Sequence, residues 1–234
     1  MGDTAEPKYY RVRTELHKML ATLDEGDAVP AERVLSEQFS VSRETVRQAL
    51  HDLLVEGRIE RRGRGTVVSA PKLVQPLSLR SYTEGAKAQG RDPGRILIGF
   101  ENTIGDDAIC EGLDLPPRSV VMHLERVLLA DGQRLGLEST YLPPNRFGDF
   151  MTTFDPSTSL YAAIRATGVS FAVAEERIET VLAGPREADL LDTTTSMPML
   201  LMQRRSLDTD GLPIEVVRSL YRGDRMAFVA VLRE

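Results

Sequence analysis

Two arginines, Arg43 and Arg47, stand one helical turn apart in a segment whose apolar residues recur at helical spacing. Side chains four residues apart lie on one face of a helix, so both guanidinium groups can reach outward together. A helix fits the major groove of DNA, where arginine donates two hydrogen bonds to guanine. Ser42 and Thr45 can contact phosphate through their hydroxyl groups. With Arg33 on the preceding helix, these residues predict a surface that contacts DNA.

A second basic group lies at residues 58–66, where four arginines accompany a single acidic residue. Gly63 and Gly65 would let the tip of a hairpin approach a duplex closely, because glycine has no side chain. Arg62 and Arg64 would supply positive charge for phosphates or for the minor groove. A lone arginine on a helix is usually only exposed to solvent. An arginine-bearing helix followed by an arginine-bearing hairpin favours DNA binding over that alternative.

Three helices and a hairpin must hold these residues in place. Apolar spacing predicts a first helix over residues 8–23 and a second helix that Pro30 opens. Ser42 is a suitable N-cap for the third helix, and Gly57 ends it. Two short strands around the glycine-rich tip at 62–65 then predict a β-hairpin. This order of elements is that of a winged helix-turn-helix.

The length of 234 residues exceeds the ~100–150 residues of a typical domain, so two domains are expected. Prolines predict a linker over residues 71–76, between a DNA-binding domain at 8–70 and a second domain at 77–234. Strand patterns, short helices and two Asp-Gly hairpin signals predict that the second domain is α+β with a mostly antiparallel sheet. The predicted strands cover residues 95–103, 120–129, 135–142, 171–182, 199–207, 213–221 and 226–232, and the predicted helices cover 106–113, 159–167 and 185–191.

Residues 8–70 resemble the winged helix-turn-helix of the GntR family of bacterial regulators. The resemblance rests on the segment PAERVLSEQFSVSRETVRQALHDLLVEGRIERRGRGTVV and is highly specific. Family members commonly have serine after the proline, where this chain has Ala31, so one phosphate contact is expected to be missing. The resemblance implies that the DNA contacts are Arg33, Ser42, Arg43, Thr45, Arg47, Arg64 and Gly65.

Residues 76–234 resemble the effector-binding domain of the HutC branch of that family, whose fold is like that of chorismate lyase. The resemblance lies in the stretches SYTEGAKAQG, ERVLLADGQRLGLESTYLP, SLYAAI and IEVVRSLYRGDRMAFV. Within the branch, the chain looks most like regulators that respond to amino-sugar phosphates. That likeness implies a ligand site formed by Ser81, Arg126, Glu138, Ser159, Tyr161, Glu215 and Tyr221.

The side chains of this implied site suit a small anion. Arg126 can form paired hydrogen bonds with a phosphate or carboxylate. The two serines offer hydroxyl donors to anionic oxygens, and the two glutamates can accept from sugar hydroxyls or amines. The two tyrosines can add an apolar wall with a polar tip. Either a structural role or a surface ion pair is the alternative for each of them.

One position departs from the pattern of the sugar-phosphate regulators. They carry a second arginine two residues after the first, where this chain has Leu128. Alternation along a strand should place Arg126 and Leu128 on the same face. Losing a guanidinium beside a dianion would remove ~1.5–3 kcal/mol of charge-assisted hydrogen bonding. Either Arg80 or another group therefore compensates, or the ligand is less anionic. The alternative effector classes are other small anions, namely phosphonates, carboxylates and different sugar phosphates.

Charge and composition point to a cytoplasmic protein that touches DNA at one end. The net charge of −6 argues against binding nucleic acid through bulk charge, whereas a small basic tip suits local contact. Cys110 is the single cysteine and cannot form an intrachain disulfide, which favours a reducing compartment. Neither a signal peptide nor an apolar run of the ~20 residues needed for a membrane span is present.

Catalysis is not predicted, and neither a cofactor nor a metal site is expected. His17 and His51 fall in the N-terminal domain and His123 on a predicted strand, so each is expected to be structural or exposed. Cys110 has no histidine near it in sequence, and the Gly-x-Ser-x-Gly, Walker and HExxH patterns are missing. The alternatives are an enzyme of chorismate-lyase-like fold and a subunit whose winged helix makes only protein contacts. Salt-dependent binding to duplex DNA would separate the last alternative from a regulator.

The combined hypothesis is a homodimer, associated through its C-terminal domains, whose two winged helices bind a pseudopalindromic operator. An effector near Arg126 and Glu215 would order the segment that begins at Ser81 and lower the affinity for the operator. Repression that the ligand relieves is the expected sign, and activation stays open. The ligand and the operator sequence stay open as well.

Overall fold

The structure of the chain is a computed structural model that describes residues 7–232. These residues divide into an N-terminal unit, which holds the chain up to Lys72 together with Gly223–Arg225, and a C-terminal unit, which begins at Leu73. No helix among the described residues has both the length and the apolar character that a membrane span requires.

Apolar stripes of three helices form the core of the N-terminal unit. Val12, Leu35, Val46 and Leu53 are completely buried in it. Ser42 caps the third helix as predicted, because its side-chain oxygen accepts a hydrogen bond from the Thr45 amide. The elements are α1 (Lys8–Leu20), α2 (Glu32–Phe39), α3 (Arg43–Val55), β1 (Ile59–Arg62) and β2 (Gly65–Val68), with β1 and β2 paired as an antiparallel hairpin.

Three predicted boundaries in this unit are wrong. Pro30 does not open helix α2, because Ala31 is the N-cap and the helix begins at Glu32. Helix α1 ends at Leu20, because the amides of Thr22 and Leu23 bond to carbonyls three residues back and tighten the chain into a turn. The hairpin turn is also shorter than predicted, since Arg62 pairs directly with Gly65 across the hairpin. Gly63 adopts a φ of +61°, a conformation that glycine adopts at no steric cost.

Six strands of the C-terminal unit form one antiparallel sheet in the order β4-β5-β6-β9-β8-β7. This arrangement confirms the predicted α+β fold with a mostly antiparallel sheet. The strands are β4 (Pro93–Ile104), β5 (Val120–Ala130), β6 (Gln133–Leu142), β7 (Phe171–Leu182), β8 (Pro198–Asp208) and β9 (Pro213–Arg222). The helices are α4 (Tyr82–Lys87), α5 (Asp107–Gly112), α6 (Pro144–Phe147), α7 (Phe150–Thr153), α8 (Leu160–Ala166) and α9 (Pro185–Leu190).

The predicted linker at 71–76 is not irregular over its whole length. Residues Leu73–Pro76 form strand β3, which pairs in parallel with β10 (Met226–Val229). Four residues without a repeating pattern give no strand signal, and only the far end of the chain supplies the partner. Helices α4, α6 and α7 were not predicted either; each spans fewer than two helical turns, although α5 and α9, with six residues each, were predicted.

Arg126 and Leu128 lie on the same face of the sheet, as strand alternation predicts. Arg126 borders a cavity, and Leu128 is completely buried in a cluster with Tyr221 and Phe228, both of which border that cavity as well. The apolar Leu128 side chain is therefore part of the core beside the cavity.

Candidate functional site

The start of helix α3 presents the first group of predicted DNA contacts. Ser42 Oγ and Thr45 Oγ1 lie 2.9 Å apart, and the cap hydrogen bond from the Thr45 amide measures 3.2 Å. Arg43 is exposed and has no ion pair with another described residue. The cap thus leaves an arginine and two hydroxyl groups at the surface of one helix terminus.

Arg47 and Arg33 extend this surface, and both are held by exposed ion pairs. Arg47 contacts Glu44 at 3.0 Å and Glu32 at 3.3 Å, which links α3 to α2. Arg33 contacts Glu37 at 2.9 Å within α2. Exposed pairs of this kind are worth ~0–1 kcal/mol, so a phosphate or a guanine can displace the carboxylates.

Arg64 and Gly65 form a separate group at the tip of the β1–β2 hairpin. Both residues are exposed, and Arg62 beside them pairs with Glu60 at 2.9 Å. The structure therefore places the predicted DNA contacts in two groups, one at the α2–α3 surface and one at the hairpin tip.

A cavity with about 650 Å³ of atom-free space, partly open to solvent, lies in the C-terminal unit. All seven residues of the implied ligand site line it, although they come from three strands, helix α8 and the N-caps of α4 and α8. We call it the central cavity. Its other lining residues are Gln75, Pro76, Leu77, Arg80, Tyr82, Arg95, Thr140, Leu160, Met202, Arg204, Val217, Ser219 and Phe228.

Arg126 is fixed in the wall of the cavity by three groups. It stands opposite Glu138 in the β5–β6 register, and its Nη2 donates to Glu138 Oε1 at 2.6 Å. Its Nη1 donates to the carbonyls of Pro156 and Thr158 at 3.3 and 3.1 Å. The residue is only 2% exposed. These bonds orient the guanidinium group before any ligand arrives.

Glu215 provides a buried hydrogen-bond acceptor, in contrast to the donor group of Arg126. Its Oε1 accepts hydrogen bonds from Tyr161 Oη at 2.5 Å and Ser206 Oγ at 2.9 Å. Arg204 Nη1 donates in turn to Tyr161 Oη at 2.6 Å, and Arg204 forms an ion pair with Glu176. Burial raises the pKa of Glu215, against the lowering effect of these neighbours. A hydroxyl or ammonium group that donated to Glu215 would offset part of the cost of burial.

The two serines of the implied site both cap helices. Ser81 forms a capping box with Glu84, in which the Ser81 amide and hydroxyl both donate to the Glu84 carboxylate at 2.8 Å. Ser159 Oγ accepts the Ala162 amide at 3.3 Å. The Ser81 hydroxyl hydrogen is therefore engaged, whereas that of Ser159 has no acceptor among the described residues.

Tyr221 provides an apolar wall, and a glycine makes room for it. A Cβ atom on Gly136 would lie 2.6 Å from Tyr221 Cδ1, which is closer than real contacts allow. Tyr221 also packs edge-on against Phe228, with ring centroids 5.2 Å apart. Gly136 is thus required by the close approach of the ring.

Buried polar atoms without a partner collect at the central cavity. A buried polar group left without a hydrogen bond costs ~1–3 kcal/mol. A ligand that supplied donors and acceptors here would recover that cost. Among the described residues, the lining atoms in this state are Gln75 Oε1, Arg95 Nε, Arg126 Nε, Thr140 Oγ1, Arg204 Nε and Glu215 Oε2.

Arg95 and Arg204 were not predicted as site residues. Both lie on strands that were predicted, but alternation alone does not show which face of a strand borders a cavity. The available signal was an arginine next to the apolar residues of a strand, as at Arg95, which precedes Ile96 and Leu97. No cluster of three or more metal-ligating side chains occurs in the described part of the chain.

Comparison with known proteins covers both units. Residues 8–68 match the family described as bacterial regulatory proteins, gntR family, and residues 88–227 match the UTRA domain. The HTH-type transcriptional repressor PhnF of Mycolicibacterium smegmatis is 50% identical over 225 residues, which are 96% of this chain and 92% of PhnF. The HTH-type transcriptional repressor NagR of Bacillus subtilis is 34% identical over 228 residues, which are 95% of this chain and 93% of NagR.

A solved structure gives the same result. The crystal structure of PhnF from Mycobacterium smegmatis aligns with a TM-score of 0.71 and 50% identity, over 95% of this chain and 99% of that chain.

Proposed function

This chain belongs to the GntR family of bacterial regulatory proteins and carries a UTRA domain, and we propose that it is a repressor that a small anionic metabolite releases from its operator. Curated relatives at 50% and 34% identity are named transcriptional repressors, which supports the sign of the regulation.

The DNA-binding half of the proposal rests on the start of α3. Arg43 and Arg47 would donate to base edges in the major groove, and Ser42 and Thr45 would contact phosphate. Arg33 would add a contact from α2, and the hairpin tip would add Arg64 and Gly65. Two copies in a homodimer would bind the two halves of a pseudopalindrome, in the cytoplasm where the chromosome lies.

The central cavity carries the effector half of the proposal. Its buried lining holds guanidinium nitrogens of Arg126, Arg95 and Arg204 without partners, which suits an anion. Glu215 Oε2, also without a partner, suits a hydroxyl or ammonium donor on the same ligand. An amino-sugar phosphate combines both groups and is the ligand that we test first.

Coupling between the halves would run through the start of the C-terminal unit. The cavity lining includes Gln75–Leu77 and Arg80–Tyr82, in the stretch of chain that closely follows Lys72. A ligand that binds this stretch better in one of its conformations shifts the protein toward that conformation. Release from DNA requires that the favoured conformation has the lower affinity for the operator.

Fluorescence anisotropy on a duplex selected from random DNA tests the proposal. We expect saturable, salt-sensitive binding that glucosamine 6-phosphate weakens and glucosamine does not. Tight DNA binding that is indifferent to sugar phosphates, phosphonates and carboxylates would contradict the effector half. Failure to select any sequence would contradict the DNA-binding half.

A further inference from the structure

An arginine on the neighbouring strand lies beside Leu128. Arg95 on β4 stands directly opposite Leu128 in the β4–β5 register. Residues opposite each other in an antiparallel pair point to the same face, so Arg95 shares the face of Leu128 and Arg126. Arg95 lines the central cavity, which Leu128 does not.

We propose that Arg95 and Arg126 together form the anion subsite of the central cavity, with Arg95 providing the second guanidinium group. This inference rests on the proposed function and names a specificity-determining residue within it. The ligand group that two guanidinium groups would bind is a phosphoryl or phosphonyl dianion.

The hydrogen-bond partners of Arg95 are uncharged. Its Nη2 donates to Thr83 Oγ1 at 2.5 Å, and its guanidinium carbon lies 5.9 Å from the centroid of the Tyr82 ring. Its Nε is buried without a hydrogen-bond partner. No carboxylate among the described residues forms an ion pair with Arg95; Glu138 favours its charged form from farther away and pairs with Arg126. A partly buried cation without an ion pair is costly, and an anion in the cavity would reduce that cost.

The two arginines are close enough to act on one ligand. They sit diagonally across adjacent strands, a spacing of ~7–8 Å that long side chains span. Burial first, and then the charge of Arg126, lower the pKa of Arg95. Thr83 belongs to α4, so the bond from Arg95 also ties the subsite to the helix that Ser81 caps.

Isothermal titration calorimetry on the full chain tests this assignment with three probes: glucosamine 6-phosphate, methylphosphonate and lactate. We expect Arg95→Gln to weaken binding of the tightest-bound phosphorus probe about ten- to hundredfold, as the loss of a charge-assisted hydrogen bond predicts. Arg177→Gln is the matched control, because Arg177 is an exposed strand arginine outside the cavity lining. The control should bind like the wild-type protein.

Two further readouts separate a ligand contact from a structural role. A phosphate monoester loses its second charge near pH ~6, so wild-type affinity for glucosamine 6-phosphate should fall from pH 7.5 to 5.5. That fall should be shallower in Arg95→Gln, because one of the two guanidinium groups is gone. The melting temperature of ligand-free Arg95→Gln should match or exceed that of the wild-type protein, since a buried unpaired charge is removed.

Three outcomes have distinct meanings. Binding by Arg95→Gln as tight as by Arg177→Gln would overturn the inference and leave the proposed function standing. Failure of the wild-type protein to bind any probe would contradict the effector half of the proposed function itself. If Arg95→Gln melts at a lower temperature, Arg95→Lys decides: undiminished affinity in that variant would overturn the two-guanidinium subsite, and a loss of about tenfold would support it.

Discussion

The α2–α3 surface and the central cavity use the same side chain in opposite environments. The Arg47 side chain is 57% exposed and shares two carboxylates at the protein surface. The Arg126 side chain is 3% exposed and is tied to one carboxylate and two backbone carbonyls. Exposed ion pairs contribute ~0–1 kcal/mol to the free energy of unfolding, whereas removing one partner of a buried ion pair costs ~3–5 kcal/mol.

At the α2–α3 surface, a substitution can therefore change DNA binding without changing stability. At the central cavity, a substitution of Arg126 changes ligand binding and stability together. A surface arginine can leave its carboxylates and contact DNA without disturbing the core. Arg126 holds the wall of its own site, so its loss should lower both the stability of the fold and the ligand affinity. Substitutions in the two regions should therefore produce different patterns of loss.

The largest expected effect is that of Arg126→Ala. We expect a loss of about 3–5 kcal/mol in the free energy of unfolding, because Glu138 and two carbonyls lose their buried partner. The folded fraction should still bind the operator but should no longer respond to the effector. Urea unfolding and anisotropy measure the two effects, with Arg177→Ala as control. Full stability together with normal induction would contradict both roles.

Arg47→Ala should show the reverse pattern. Loss of one bidentate contact with a base would weaken operator binding by ~1–3 kcal/mol, or about ten- to hundredfold. The free energy of unfolding should change by less than ~0.5 kcal/mol, because the side chain is exposed. Calorimetry should find effector affinity unchanged. Arg11→Ala, an exposed arginine of α1 outside the predicted contacts, is the control. Joint loss of DNA and effector binding would contradict the separation of the two regions.

Two helix caps provide a matched pair with a smaller effect. Ser42 caps α3 at the exposed surface, and Ser81 caps α4 with a reciprocal bond from Glu84 at the buried cavity. Ser81→Ala should cost about 1–2 kcal/mol and Ser42→Ala about 0.5–1 kcal/mol, because only the first also removes a hydrogen bond from a buried hydroxyl to a carboxylate. Amide hydrogen exchange within each helix measures the local loss. Equal losses would show that burial does not distinguish the caps.

Acid should weaken the cap of α4 and spare that of α3. The amide and then the hydroxyl of Ser81 lower the pKa of Glu84, so the contribution of Glu84 is present above the unfolded value near ~4.3 and is lost as pH falls through the lowered folded value. The effect should stay below ~1 kcal/mol, since the carboxylate is half exposed. The cap of helix α3 has Thr45, and not a carboxylate, at the corresponding position.

Amide exchange in α4, followed from pH 6 to pH 3, measures this effect against Glu84→Gln. Wild-type and variant protein should differ at pH 6 and converge at pH 3. A difference that persisted at pH 3 would contradict the sign of the effect.

Local patterns were sufficient for much of the fold. The caps and apolar stripes of α1–α3 act within a few residues, so helix positions in the N-terminal unit were predicted with small errors at the ends. The six sheet strands were predicted as well, because alternation and Asp-Gly turns are local signals. Strand β3 was missed, since its partner β10 lies about 150 residues away in the chain.

The candidate site likewise has residues that were predicted and a residue that only the folded structure shows. The seven implied ligand residues came from likeness to a family, and their shared place around one cavity is a property of the folded domain. Arg95 could not be connected with Leu128 beforehand, because the β4–β5 register joins positions 33 residues apart.

The amino-acid sequence by itself determined the helix caps, the helical and strand periods, the exposed arginines of α3 and the membership of the chain in a regulator family. Tertiary structure alone decided which strand faces border the cavity, which buried polar atoms have no partner, and which arginine stands beside Leu128. The physical reason is the range of the interactions. Caps, turns and periodicity depend on neighbours in the chain, whereas burial and register depend on residues that only the folded sheet brings together.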